Sequence, residues 1–269
     1  MTDERTILRS TFNRDALLYD EARPGYPEEL FDDIVALSDI PDGGRILELG
    51  CGTGIATVPF ARRGYRIRCV ELGEQLAAVA RKNLAPYPDA EVYVGAFEDW
   101  PVEEAAFDLA FAATAFHWIE PALGYRKFAQ ALKPDGSLAL FRHEHVHSDT
   151  SAGFFEDVQE FYEEAGLAKE SDFRMPLPHE IGDDTAQIEG SGLFGPVDVR
   201  RYIWDIEYDA ARYIQVLSTY SGHINLDDAR RKRLFSDITS SIDAQPNGRI
   251  TKGYMSILHV AKRNDQPIS

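Results

Sequence analysis

The sequence predicts an α/β fold in which a mostly parallel sheet carries helices on both faces. Between residues 45 and 144, short apolar runs alternate with segments whose apolar residues recur at helical spacing. A glycine-rich turn follows the first run, and the turn Lys133-Pro-Asp-Gly136 ends a helix before the fifth. With 269 residues, 44% of them apolar, the chain can bury a large core. This alternation is typical of a parallel sheet wrapped by helices.

The elements of the first half follow from these runs in chain order. Strands are predicted at Arg45–Leu49, Arg66–Leu72, Ala90–Gly95, Phe107–Ala113 and Gly136–Arg142. An N-terminal helix is predicted at Pro27–Ser38, and the helices between the strands at Ile55–Arg63, Glu74–Leu84 and Pro121–Leu132.

The pattern changes after residue 147. Ser151–Ala165 and Tyr208–Ser218 are predicted to be helices, whereas residues 166–196 are rich in Pro, Gly and Asp and indicate a cap or insertion. Val197–Glu207 and Gly253–Lys262 are predicted to be the last two strands. No linker divides the chain, so we expect a single domain. Its parts are an N-terminal lid and helix (1–44), a core (45–147), a cap insertion (148–196) and C-terminal strands and helices (197–269).

Charge and cysteine content restrict the partners and the compartment. The formal net charge of −17 argues against a nucleic-acid surface, and the basic run Arg230–Arg233 suits a solvated helix face. Cys51 and Cys69 have neither disulfide-framework nor zinc-ligand spacing and are expected to be reduced thiols. No apolar run approaches the ~18 residues of a membrane span, and the charged opening lacks the apolar centre of a signal peptide. We expect a cytoplasmic protein without membrane contact.

The first strand leads into RILELGCGTG, which ends at Gly54 and places three glycines within five residues. Such a turn lets backbone N–H groups approach a ligand at the start of a helix. The dinucleotide fingerprint needs its third glycine at position 55, where this chain has Ile55. Glu48, two residues before Gly50, would repel a pyrophosphate but accept hydrogen bonds from an ammonium group. We therefore expect a ligand with an amino-acid end.

Acidic and aromatic residues follow the next two strands. Glu71 comes close to the ~20-residue spacing after Gly50 at which an acid binds a ribose diol. In the segment GAFEDW, Phe97 can cover an adenine ring, and Glu98 or Asp99 can accept from its exocyclic amine. The alternative is an exposed acid at a strand end and an ordinary acidic turn. The ordered set favours an adenosine site.

The chain resembles the class I S-adenosylmethionine-dependent methyltransferases in five segments, which keep the family's order: ILELGCGTG, VELGEQLAAVARKNL, GAFEDW, FDLAFAATAFHWIEP and ALKPDGSLAL. The resemblance covers residues 15–145 and weakens afterwards. It implies a Rossmann-like, seven-stranded sheet of order 3-2-1-4-5-7-6 with strand 7 antiparallel, and S-adenosyl-L-methionine as cofactor. The predicted cofactor contacts are Tyr19, Arg23, Glu48, Gly50, Cys51, Gly52, Gly54, Glu71, Leu72, Ala96, Phe97, Glu98 and Ala113.

The segment Tyr19–Pro27, YDEARPGYP, resembles a lid that many small-molecule methyltransferases place over the cofactor. Arg23 is expected to pair with the methionine carboxylate. Tyr19 and Tyr26 are expected to close over the methyl group. The alternative for Tyr26 is a plain turn that leads into the first helix.

Candidates for the acceptor side follow the fourth and fifth strands. The FHW element resembles that of the trans-aconitate methyltransferases, so His117 is a candidate base or donor, with a strand-end cap as the alternative. A base is optional, because methyl transfer to a carboxylate needs mainly alignment and a lone pair. His143, His145 and His147 share one strand face; a metal site is weighed, and no metal is predicted. The predicted substrate contacts are Tyr26, His117, Trp118, His143, His145, Ser221 and His223, the last two with a plain helix C-terminus as the alternative.

The sequence therefore predicts a methyltransferase that acts on an O, N or C nucleophile of a small molecule, as a monomer or homodimer. A carboxylate acceptor would require a local cluster of arginines, which the sequence does not show near the pocket segments. Two alternatives remain: a cofactor-binding sensor without turnover, and a nicotinamide-dependent oxidoreductase, which Ile55 and Glu48 disfavour.

Overall fold

The computed structural model describes residues 15–150, 153–167 and 173–264. One seven-stranded sheet organises these residues in the order β3-β2-β1-β4-β5-β7-β6. Its strands are β1 Arg45–Leu49, β2 Arg66–Glu71, β3 Ala90–Val94, β4 Phe107–Ala113, β5 Leu132–Val146, β6 Phe194–Asp209 and β7 Arg249–Arg263. Strand β7 runs antiparallel to both of its neighbours, β5 and β6. The predicted strand order and the antiparallel last strand are confirmed.

The helices connect these strands and cover the sheet. They are α1 Ala16–Ala22, α2 Glu28–Ser38, α3 Thr57–Arg62, α4 Glu74–Asn83, α5 Pro121–Ala131, α6 Phe154–Asp157, α7 Gln159–Ala165, α8 Thr185–Gly190, α9 Ala210–Leu217, α10 Ser221–Ile224 and α11 Asp228–Asp243. Short 3-10 turns lie at Phe116–Trp118, Pro178–Glu180 and Pro246–Gly248. None of these helices has both the length and the apolar character that crossing a membrane requires.

Hydrophobic cores lie on both faces of the sheet. On one face, Phe31 and Ile34 of α2 and Phe60 of α3 pack against Phe111 of β4. The other face is covered by α5, whose Phe128 contacts the sheet beside Phe97 and Trp100. Helices thus cover both faces of the sheet. The direction in which successive strands are added reverses at β1, which lies between β2 and β4. Ligands of open α/β sheets bind in the crevice at such a point.

Several predicted boundaries shift. Strand β5 begins at Leu132 instead of Gly136, because the 133–136 turn is accommodated as an irregularity in the pairing with β4. Strands β6 and β7 are longer than predicted because they pair with each other along most of their length. The helix predicted over Ser151–Ala165 is two short helices, separated at Val158; residues 151 and 152 lie outside the described residues.

The part of the chain after β5 packs against the C-terminal helices. Phe154 and Val158 join α9 and α11 in one core, which also includes Ala22 of α1. The basic run is helical, as predicted, and Arg230 and Arg231 pair with Asp227 and Asp228 at the start of α11. Both cysteines are free and buried.

Candidate active site

Two neighbouring cavities open where the carboxyl ends of β1, β2 and β4 meet. The outer cavity, of about 280 Å³, is lined by Tyr19, Arg23, Leu49, Gly50, Gly52, Val70, Glu71, Leu72, Leu76, Gly95, Phe97, Ala113, Thr114, Ala115, His117, Trp118 and Ile119. The inner cavity, of about 180 Å³, is lined by Tyr19, Arg23, Pro24, Tyr26, Glu48, Gly50, Cys51, Gly52, Thr53, Ile55, Ala56, Ala113, Thr114, His143, His145 and Tyr220. The shared residues show that the two cavities adjoin along the glycine loop.

The glycine loop after β1 has a backbone that side chains would not permit. Gly50 and Gly52 have φ values of +66° and +57°, in the left-handed region that favours glycine. A Cβ on Gly50 would lie 2.7 Å from the Cβ of Ala115, so the loop also needs the missing side chain for space. The loop thereby brings bare backbone to both cavities.

Glu71, at the end of β2, holds this loop in place. Its Oε2 accepts a hydrogen bond from the N–H of Gly52, and its Oε1 accepts one from the N–H of Gly73, both at 2.8 Å. The side chain is buried, 6% exposed, and still lines the outer cavity. A carboxylate offers about four lone-pair sites, so backbone N–H groups and a ligand hydroxyl can share one such group.

Glu48 is a buried carboxyl group on the wall of the inner cavity. Its Oε2 accepts a hydrogen bond from Thr57 at 2.6 Å and one from the thiol of Cys69, whereas its Oε1 is buried with no hydrogen-bond partner among the described residues. Burial raises the pKa of Glu48 to about 8. The group is therefore predominantly neutral at pH 7 and has a free oxygen that a cationic ligand would satisfy.

This pKa gives Glu48 a distinct effect on stability. The folded protein keeps the Glu48 proton up to about pH 8, whereas the unfolded chain loses it near pH 4.5. Stability contributed by Glu48 therefore falls as pH rises between these values. We expect the ligand-free variant Glu48→Gln to gain stability relative to wild type between pH 5 and pH 8, measured by urea unfolding. The exposed Glu104→Gln should show no such trend, and a difference between Glu48→Gln and wild type that is the same at both pH values would contradict the assignment.

Arg23 lies at the end of α1, where it faces both cavities. Its Nη2 donates to the carbonyl of Thr219 at 3.1 Å, and its guanidinium lies 4.4 Å from the ring centre of Tyr220 and 5.1 Å from that of Tyr19. Within the described ranges no carboxylate pairs with it, and its Nε is buried without a partner. An anionic ligand group would complete this site.

Tyr26 links the segment after α1 to the end of β4. Its hydroxyl hydrogen-bonds to Thr114 Oγ1 at 2.7 Å, and its ring stacks on His143 at 4.0 Å. Thr114 has a φ of +51°, which is unusual for a β-branched residue. Such strain persists only where the surroundings impose it, and here it sits at the junction of the two cavities.

Removing the Tyr26 hydroxyl tests this link. We expect Tyr26→Phe to lower the free energy of unfolding by about 1 kcal/mol, the net contribution of one partly buried hydrogen bond. Urea unfolding measures the change, and Tyr93→Phe serves as the control because Tyr93 is 38% exposed on β3. Equal effects of the two substitutions would show that the Tyr26 bond does not hold the segment in place.

The three histidines at the end of β5 and just after it do not share one environment. His143 and His145 line the inner cavity, with His143 Nδ1 3.0 Å from Ser256 Oγ and His145 Nε2 3.1 Å from Tyr220 Oη. Burial is the main cause that lowers the pKa of His143 to about 3 and that of His145 well below its usual value, so both are neutral. His147 instead lies 3.5 Å from the Asp149 carboxylate. Among the described residues, no three metal-ligating side chains cluster.

The FHW element forms the 3-10 turn after β4. Phe116 packs on Tyr125 of α5 at 4.6 Å, which anchors the turn, while His117 and Trp118 line the outer cavity. His117 is exposed at the rim, and its pKa is lowered first by partial desolvation and then by the charge of Arg142. A neutral imidazole at this rim can accept a proton or donate a hydrogen bond.

Parts of this chain are similar in sequence to known proteins, and its fold is similar to solved structures. Residues 47–140 match the family model described as a methyltransferase domain. An uncharacterized methyltransferase from Mycobacterium bovis is 30% identical over 140 residues, 52% of this chain and 55% of that protein. A malonyl-acyl-carrier-protein O-methyltransferase from Geobacter sulfurreducens is 32% identical over 147 residues, 52% of this chain and 54% of that protein. The chain thus spans about half the length of the curated relatives that it matches.

The fold extends the comparison beyond the matched segment. A solved methyltransferase-fold structure from Anaeromyxobacter dehalogenans covers 89% of this chain and 97% of its own, with a TM-score of 0.62 at 19% identity. Residues 47–140 are a methyltransferase domain. The strand order 3-2-1-4-5-7-6 of the described residues is that of the class I methyltransferase fold. The family match gives no support to the alternative of a nicotinamide-dependent oxidoreductase.

Most predicted site residues border the cavities of the methyltransferase domain, but five do not. Gly54 closes the glycine loop by donating to the carbonyl of Cys51, and Ala96 and Glu98 flank Phe97 without lining either cavity. Ser221 begins α10 away from both cavities, and His223 is buried 3.3 Å from Tyr162 Oη. The structure therefore does not place Ser221 and His223 at a substrate site, because α10 packs into the helical layer.

Phe97 lies in the wall of the outer cavity. Its ring is 2% exposed and packs against Trp100 and Phe128. Lys127 of α5 fixes this turn, because its Nζ donates to the carbonyls of residues 97, 98 and 100 at 2.6–2.8 Å. These hydrogen bonds connect α5 to the turn that forms part of the outer-cavity wall.

Several cavity residues were not predicted. Leu76 and Ile119 line the outer cavity, Tyr220 lines the inner one, and Thr114 lines both. Tyr220 directly precedes Ser221, a predicted substrate contact, so an aromatic residue next to a hydroxyl was an available signal. Thr114 carries no such signal, because its left-handed backbone is visible only in the fold.

Proposed function

We propose that the protein is an S-adenosyl-L-methionine-dependent methyltransferase that acts on a small-molecule acceptor. One observation carries the proposal: the inner cavity is lined by one acidic and one basic group, each with a buried atom that has no hydrogen-bond partner among the described residues, Glu48 Oε1 and Arg23 Nε. The methionine part of this cofactor carries an ammonium and a carboxylate. We assign the ammonium to Glu48 and the carboxylate to Arg23.

The remaining groups fit the other parts of the same cofactor. Glu71 supplies carboxylate acceptors to a ribose, and Leu72, Leu76 and Phe97 supply apolar walls to an adenine. The N–H groups of the glycine loop lie along the junction of the two cavities. When bound, the cofactor supplies an electrophilic methyl group on a sulfonium, so the protein's own task is to align the acceptor and exclude water.

The Tyr19–Pro27 segment and the strained Thr114 line the cavity at this junction. Tyr26, Thr114 and His143 form a contiguous wall, which supports their assignment as acceptor contacts. His117 is the candidate base at the rim of the outer cavity, for acceptors that must lose a proton. An acceptor with a lone pair at pH 7 needs no base.

The FHW turn supports the finer proposal that the protein belongs to the group that resembles the trans-aconitate methyltransferases. The curated relative from Geobacter sulfurreducens is named an O-methyltransferase, which supports oxygen as the methylated atom. The two free, buried cysteines support a cytoplasmic location. We propose a monomer or homodimer without a nucleic-acid partner.

Titration calorimetry with S-adenosylhomocysteine and with NADH tests the cofactor assignment, and a metabolite screen with methyl-labelled cofactor tests turnover. We expect micromolar binding of S-adenosylhomocysteine, no binding of NADH and at least one labelled product. Binding of NADH without S-adenosylhomocysteine would refute the proposal. Tight cofactor binding with no labelled product would favour the sensor instead.

A further inference from the structure

Lys252, on β7, is a buried basic side chain next to the wall of the inner cavity. It is 4% exposed, and the one hydrogen bond of its Nζ among the described residues runs to Tyr213 Oη at 3.5 Å. The rings of Phe155, Tyr213, Tyr220 and Tyr254 surround its Nζ, with centres 5.3–5.8 Å away. Aromatic faces stabilise a desolvated ammonium but do not neutralise it.

Basic groups crowd around Lys252, and carboxylates do not. Burial, and then the charge of Arg23, lowers the pKa of Lys252 to about 7, and no carboxylate opposes this within the described residues. Lys252 in turn contributes to the lowered pKa values of His145 and His223. This concentration of basic groups is unexpected in a chain of net charge −17. The ammonium form of Lys252 is therefore disfavoured in the ligand-free protein, and a ligand of opposite charge would stabilise it.

The proposed cofactor contributes no counter-charge to the ammonium form of Lys252. Glu48 is the one carboxyl group among the described residues that line the inner cavity, and it is assigned to the cofactor ammonium. Arg23 is assigned to the cofactor carboxylate. Among the described residues, no acidic group is then left to pair with Lys252. Its Nζ lies 5.8 Å from the ring centre of Tyr220, which lines the inner cavity and hydrogen-bonds to His145.

We propose that the methyl acceptor carries an anionic group, a carboxylate or a phosphate, which the protein recognises at the His145–Tyr220 wall through the charge of Lys252. This inference rests on the proposed function. Tyr220 Oη and His145 supply hydrogen bonds at that wall, and Lys252 supplies the opposite charge through a medium of low dielectric constant. Lys252 is thus a positioning residue that selects acidic acceptors, and it does not contact the reacting atoms.

The same arrangement couples acceptor binding to proton uptake. At pH 7.8 the Lys252 amine is largely neutral, whereas an anion at the wall favours the ammonium form, so the complex should take up a proton. The other ionisable groups that face Lys252 are Arg23, His145, His223, Tyr213, Tyr220 and Tyr254. The raised pKa values of the tyrosines keep them neutral near this pH, and the lowered pKa values of the two histidines disfavour their protonation.

The experiment uses protein saturated with S-adenosylhomocysteine, titrated by calorimetry at pH 7.8 in two buffers of different ionisation enthalpy. The probes are phenylacetate, glutarate and phenyl phosphate, with phenylacetamide and glutaramide as matched neutral compounds. We expect an anionic probe to bind at least about tenfold more tightly than its neutral counterpart, with proton uptake. Tighter binding of phenyl phosphate, or of the carboxylates, identifies the anionic group.

Three variants isolate the role of Lys252. Lys252→Met should weaken anion binding about tenfold or more and abolish proton uptake, while S-adenosylhomocysteine affinity changes less than about twofold. Lys252→Arg should keep anion binding but lose proton uptake, which guards against a folding defect in the first variant. The control is Lys262→Met on the same strand, where Nζ donates to the carbonyl of Ser38 outside both cavities.

Three results would overturn the inference: equal affinity for acids and amides, no binding of any anionic probe at about 10 mM, or unchanged anion binding in Lys252→Met. A failure of the proposed function is distinguishable, because wild-type protein would then not bind S-adenosylhomocysteine in the first step.

Discussion

Gly50→Ala is expected to lower the affinity for S-adenosylhomocysteine by at least about 100-fold, or about 2.7 kcal/mol. Two effects combine. The added Cβ would lie 2.7 Å from the Cβ of Ala115, and neither atom belongs to a flexible side chain that can move away. The φ of +66° also costs an alanine about 1 kcal/mol. The loop would have to change shape at the junction of the two cavities.

Calorimetry measures this loss, and Gly222→Ala is the matched control. Gly222 lies on α10, where an added Cβ meets no atom within 4 Å. We expect the control to bind S-adenosylhomocysteine as wild type does. Wild-type affinity in Gly50→Ala would mean that the ligand does not contact this loop, and the cofactor assignment would fail.

The second large effect is expected at Glu71. Glu71→Gln keeps the size of the side chain but presents an amide N–H₂ to one of the two backbone N–H groups that the carboxylate now satisfies. It also removes the charged acceptor assigned to the ribose. We expect S-adenosylhomocysteine to bind more weakly by ~1–3 kcal/mol, or about 5- to 150-fold.

The control for this charge change is Glu74→Gln, because Glu74 is exposed in the first turn of α4. Adenosine titrations separate the two consequences, since adenosine lacks the amino-acid end. A similar loss for adenosine and for S-adenosylhomocysteine supports the ribose assignment. Unchanged binding of both would remove Glu71 from the site.

The core of the fold was predictable from local pattern. Strands β1 and β4 begin and end at the predicted residues because a strand buried on both faces is a continuous apolar run bounded by turn residues. The glycine loop was equally predictable, because the backbone of this turn needs glycine at particular positions that are close together in the chain. After residue 147 the predicted element bounds were less accurate. Which residues there are buried depends on contacts with segments far away in the chain.

Site residues divide along the same line. Glu48, Gly50, Gly52 and Glu71 border the cavities, because each lies at or just beyond the end of a strand whose position was predicted. His223 is buried in the packed layer, and the sequence could not decide this, because a histidine after a helix can face either a cavity or the packed layer. The sequence showed no cluster of arginines for an acidic acceptor. In the structure, Arg23 and Lys252 both lie near the ring of Tyr220, although they are 229 positions apart in the chain.

By itself the sequence determined the α/β class, the glycine loop and the acids at the strand ends, because these depend on residues close together in the chain. Only the tertiary structure decided the strain at Thr114, the unpaired atoms of Glu48 and Arg23, and the uncompensated charge of Lys252. Each of these depends on burial and on the absence of a partner, which arise when segments far apart in the chain pack together.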